Sequence, residues 1–73
     1  MSKVIALLNI QDVGHIEVLD NNIVRPTSLG YNLSPEEIQQ INSAARFLVA
    51  ENGAARSATT DRGHTVRLID LNK

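Results

Sequence analysis

The sequence predicts a small α+β fold in one domain spanning residues 1–73. An N-terminal antiparallel hairpin or meander leads into one central amphipathic helix over about residues 34–52. A C-terminal β-hairpin follows, and the helix lies on one face of a sheet of four or five strands. Three observations carry this. The stretch L-S-P-E-E-I-Q-Q-I-N-S-A-A-R-F-L-V-A-E-N-G, residues 33–53, holds a full set of helix start and stop signals. Short runs rich in Val, Ile and Leu stand on either side of it, and clusters of Asp, Asn and Gly separate those runs.

The helix is the most fully specified element. Ser34 is the N-cap, positioned to accept from the backbone N–H of Glu37, while the Glu37 carboxylate reaches back to the N–H of Ser34. Pro35 occupies the first helical position, where its missing N–H removes nothing. Leu33 and Ile38 stand where a hydrophobic staple closes. Glu36 and Glu37 face the positive end of the helix dipole, and Gly53 is placed to end the helix in a left-handed conformation. Ile38, Ile41, Ala45, Leu48, Val49 and Asn52 fall within one arc, with Asn42 at its edge, and form the expected inner face.

Phe47 departs from this pattern. At about 100° per residue it points away from Ile38, onto the face that carries Glu36, Gln40, Ala44 and Glu51. Two readings follow. A loop around Tyr31 folds over the ring, or Phe47, with Gln40, Ala44 and Glu51, forms a protein interface.

Lys3 to Ile10 reads as a strand with apolar groups on both faces, as in a strand flanked on two sides. Gln11-Asp12-Val13-Gly14 is a turn in which Gly14 supplies positive φ. His15 to Leu19 is the second strand, and Asp20-Asn21-Asn22 makes a tight second turn. Ile23 to Arg25 forms a short third strand at an edge or ending at Pro26, which has no N–H for a ladder. Thr27 to Asn32 feeds the helix. After Gly53, residues 54–60 suit a longer helix, a strand or a flexible arm. Pairing of Arg56–Thr60 with His64–Leu71 across the turn Asp61-Arg62-Gly63 is preferred, since Thr59 and Thr60 favour strand. The expected inner set is Val4, Ile16, Val18, Ile38, Ile41, Ala45, Leu48, Val49, Val66 and Leu68. Asp12-Val13-Gly14-His15 and Asp61-Arg62-Gly63-His64 share the form D-x-G-H, which raises an internal duplication.

Composition narrows the function. A chain of 73 residues buries about 60% of its unfolded surface, so its core is lean. It has no cysteine, which excludes disulfides and thiolate metal sites. Tyr31 and Phe47 are its two aromatics. Homodimer formation is the expected route to more buried area. The longest apolar run, Val4 to Leu8, is too short for a membrane span or a signal-peptide core, so a cytoplasmic, non-membrane protein is expected. Lys3 and Arg25 against Asp12, Glu17, Asp20, Glu36 and Glu37 leave residues 1–45 at −3, whereas the remainder carries +2.

Phosphate-binding, dinucleotide-binding, nucleophile-elbow and zinc-protease motifs are all missing from the sequence, so no catalytic activity and no cofactor are expected. The leading expectation is a non-enzymatic protein-interaction module that binds or occludes another protein as an inhibitor or accessory factor. The alternative is nucleic-acid binding through Arg46, Arg56, Arg62 and Arg67. It is weakened by a net charge of −1 and by the scarcity of aromatics for base stacking. A third option sets His15 and His64, each beside a turn aspartate, together as a metal or acid–base site.

Overall fold

The computed structural model describes residues 3–29 and 33–72, with Ser28 and Leu29 described by their backbone alone. The chain runs through strands β1 (Val4–Ile10), β2 (Gly14–Leu19) and β3 (Val24–Leu29), helix α1 (Pro35–Ala50), and strands β4 (Ser57–Thr59) and β5 (Thr65–Leu71). The strands form one five-stranded sheet in the order β3-β2-β1-β5-β4, and every neighbouring pair is antiparallel. The first and last strands of the chain therefore lie side by side, with Ala6 opposite Leu71 and Ile10 opposite Val66. The helix packs on one face, giving the α+β architecture that the sequence predicts.

Strand alternation sets the core. Ala6, Leu8 and Ile10 of β1, Ile16 and Val18 of β2, and Val66 and Leu68 of β5 are buried together with Ile41, Ala45, Leu48 and Val49 of α1. The expected inner set missed Ile5, Ala6, Leu8, Ile10 and Val13. Leu8 and Ile10 are among the largest fully buried side chains because β1 lies centrally, between β2 and β5. Ile38 departs from the expected arc and is 41% exposed. With Leu33, Ile10, Ile16, Pro26 and Ile41 it lines an apolar crevice of about 60 Å³ at the start of the helix.

The helix start forms as its residues dictate. Ser34 is extended, at φ −69° and ψ 157°. Its Oγ accepts from the Glu37 N–H at 3.2 Å, and Glu37 Oε1 accepts from the Ser34 N–H at 3.0 Å. The helix end is earlier than expected. It stops at Ala50 with Glu51 as C-cap, and Asn52 takes the left-handed conformation (φ 53°) before Gly53 (φ 93°). Asn52 is thus exposed beyond the helix rather than on its inner face. Asparagine tolerates this region better than other residues with a Cβ, which permits a two-residue reversal.

The turns also differ in detail. In the first, the Val13 N–H donates to the Ile10 carbonyl at 3.0 Å, and positive φ falls on Asp12 (63°) as well as on Gly14 (157°). In the last, the Gly63 N–H donates to the Thr60 carbonyl at 2.9 Å, with positive φ at Gly63 (86°). The two D-x-G-H stretches therefore close with different turns, the hydrogen bond spanning Ile10–Val13 in one and Thr60–Gly63 in the other.

Strand β3 is longer than expected and continues through Pro26. The Leu19 N–H donates to the Ile23 carbonyl, so Ile23 and Arg25 turn their polar backbone atoms towards β2. Pro26 then falls at a position facing away from the ladder, where its missing N–H is not needed. Of the segment 54–60, residues Ser57–Thr59 form a strand.

Candidate functional site

Two walls of different origin make a groove on the helix side of the sheet. One is the outer face of α1, contributing Glu36, Gln39, Gln40, Ser43, Ala44 and Phe47; the other is Ala58 to Asp61, in and after β4. The groove encloses about 580 Å³. It exists because α1 lies across the sheet while β4, a strand of three residues, forms the sheet's edge beside it.

The helix wall follows from the helical period. Ala44 packs partly against the core, and Phe47, one turn later, is 50% exposed. Gln40 Oε1 is shielded from solvent and finds no donor among the described residues. A buried acceptor of this kind carries an unpaid desolvation penalty until a donor reaches it.

The strand wall is a sheet edge, with no further strand beside β4 among the described residues. The Leu68 N–H donates to the Arg56 carbonyl at 2.8 Å, and the Thr60 N–H donates to the His64 carbonyl at 2.8 Å. Arg56, Ala58 and Thr60 therefore spend their backbone groups on β5, while Ser57 and Thr59 direct theirs outwards. The opposite edge, β3, is guarded by Pro26 and by an irregular register between His15 and Ile16. Proline and such irregularity are both missing from β4.

Two polar ties hold the groove's far end. Arg62 Nη2 lies 2.7 Å from Glu36 Oε2, and His64 Nε2 lies 2.8 Å from Glu37 Oε2. Both join the β4–β5 turn region to the first turn of α1. The Glu37 carboxyl is lowered to about 2, chiefly by the Ser34 backbone N–H and then by its hydrogen bond with His64.

Of the expected interface residues, Gln40, Ala44 and Phe47 line this groove together, and Glu51 does not. The Tyr31 segment lies outside the described residues. The residues that sequence reasoning missed are Ala58, Thr59 and Asp61. Their part depends on β4 being an edge strand, which no local signal reveals.

The four arginines do not gather on one surface. Arg46 Nε donates to the Asn22 carbonyl at 3.0 Å, beside the β2–β3 turn. Arg62 is at the helix N-terminus with Glu36, and Arg67 alternates with the buried Val66 and Leu68, so it points away from the helix. Arg56 is exposed just before β4.

The histidines also stand apart. His15 Nε2 lies 3.3 Å from Asn9 Nδ2, on the sheet face opposite the buried Ile16 and Val18, whereas His64 meets Glu37 of the helix. Among the described residues no three His, Asp or Glu side chains cluster as metal ligands, and no helix is long and apolar enough to cross a membrane. Comparison of the chain with protein-family models, with curated proteins and with solved structures finds no match in any of the three.

Proposed function

We propose that this chain is a non-enzymatic protein-interaction module that takes an extended polypeptide segment along β4. The observation that carries the reading is the meeting, in one groove, of an unpaired strand edge and a half-exposed phenylalanine. An added strand gains main-chain hydrogen bonds from Ser57 and Thr59, and alternate side chains of that strand enter the groove against Phe47 and Ala44. Gln40 lines the same wall. Occlusion of a partner's strand in this way is the mode of action expected of an inhibitor or accessory factor.

The test uses two variants in parallel. Phe47→Ala removes the anchor, and Thr59→Pro removes an outward N–H that the ladder with β5 does not use. Proteins recovered from source-cell lysate on the immobilised chain are identified by mass spectrometry. A partner lost with both variants supports the reading. Unchanged recovery on both overturns it, provided each variant melts as a folded protein.

A further inference from the structure

We infer that the segment filling this groove is β4 of a second copy of the same chain, so that two five-stranded sheets join edge to edge across a two-fold axis at Ala58. The inference rests on the reading of the groove given above and names its occupant.

A two-fold interface must be complementary to itself, because each surface meets its own image. Antiparallel addition at β4 must also hydrogen-bond the outward-facing residues Ser57 and Thr59. These conditions leave three registers. With Thr59 opposite Thr59 of the second copy, Arg56 faces Arg62 of the second copy, and like charges oppose. With Ser57 opposite Ser57 of the second copy, Arg56 faces Ala58 of the second copy and gains no charge partner. With Ala58 on the axis, Ser57 pairs with Thr59 of the second copy, and Arg56 lies opposite Thr60 of the second copy, beside its Asp61.

Charge selects the third register. Arg56 and Asp61 are exposed and have no ion-pair partner among the described residues. Arg56 stands at one end of β4, and Asp61 lies beyond the other, where it lines the groove with Glu36. Symmetry makes the Arg56–Asp61 contact twice. Opposite charges across a strand pair stabilise it, and like charges in the same place disfavour the wrong register.

Sterics and burial agree with that choice. Ala58 is small enough for two copies to approach on the axis, and its side chain packs partly against the core on the helix side. Phe47 and Ala44 of both helices then cover the seam from that side, and water leaves the exposed rings. The guarded β3 edge is left outermost at both ends of the joined sheet.

The purified chain, alone, provides the test. Sedimentation equilibrium is expected to show a dimer. Arg56→Asp and Asp61→Arg should each raise the dissociation constant by about tenfold or more, since both symmetric pairs turn repulsive. The double variant Arg56→Asp/Asp61→Arg should restore it to within about threefold. Ala58→Cys offers a positional readout in a chain that has no cysteine. Residues on a non-hydrogen-bonded antiparallel pair have Cα atoms about 4.5 Å apart, within disulfide reach. Mild oxidation should crosslink Ala58→Cys rapidly and Thr59→Cys slowly. A monomer at about 1 mM, faster crosslinking of Thr59→Cys, or failure of the charge swap to rescue overturns the inference. The groove reading itself fails separately, on capture that neither Phe47→Ala nor Thr59→Pro affects.

Discussion

Glu37 and His64 are 27 residues apart in sequence, yet Glu37 Oε2 lies 2.8 Å from His64 Nε2 while Glu37 Oε1 accepts the Ser34 N–H. One carboxylate thus serves as half of a capping box and as the tie between the helix and the base of the β4–β5 hairpin. Loss of its charge weakens both.

The pH dependence follows from the sign of that shift. Glu37 is lowered from 4.5 to about 2 in the folded protein, first by the Ser34 backbone N–H and next by His64. Its contribution to stability is therefore fully present above pH 4.5 and is lost as pH falls towards about 2. Thermal melts across this window should show a falling Tm. Glu37→Gln should start lower and fall less, since the amide has no charge to lose. Parallel slopes for the two proteins would rule out Glu37 as the cause.

The core prediction contrasts two aliphatic residues. Leu48 is fully buried and Ile69 is 51% exposed. Leu48→Ala should cost about 2–5 kcal/mol, because the helix and sheet only partly close around the void. Ile69→Ala should stay within about 1 kcal/mol. Urea unfolding with an unchanged slope checks both values.

Glu17 provides an electrostatic test on the other face of the sheet. It is 8% exposed and lies opposite Arg25 on β3, whose Nε donates to its carboxylate at 2.6 Å. Arg25→Ala leaves that carboxylate without its charged partner and should destabilise by about 1–3 kcal/mol. The Arg25 side chain is itself 59% exposed, so water screens part of the pair and the lower half of that range is expected. A double-mutant cycle with Glu17→Gln should recover the coupling; no coupling would show that the two side chains act independently.

At Gly63 the backbone alone sets the cost. A Cβ there meets nothing within 4 Å, but φ is +86°. Gly63→Ala should destabilise by about 1–2 kcal/mol through the left-handed conformation. Gly63→Asn should cost less, because asparagine tolerates that region better. Equal melting temperatures for the three proteins would show that the turn relaxes to another form.

Much of the chain was legible locally. Ser34, Pro35 and Glu37 start the helix through atoms within one turn of each other, and the turns at Asp20–Asn22 and Asp61–Gly63 depend on which residues tolerate positive φ. These features need no knowledge of the rest of the fold. The helix ends two residues short of the expected limit because Asn52 and Gly53 both take positive φ, so the reversal begins one residue before the glycine.

Strand order belongs to the tertiary structure. Nothing in Val4–Ile10 or Thr65–Leu71 by itself says that these strands pair; that follows from burying both against α1 at once. The same long-range choice makes β1 central, gives Leu8 and Ile10 their burial, and leaves Ser57–Thr59 as an edge. The helical period alone put Phe47 on the outer face of α1. Only the packing of α1 beside a bare strand sets that ring in a groove, because strand order is decided by which apolar faces can be covered together, not by contacts among neighbours in sequence.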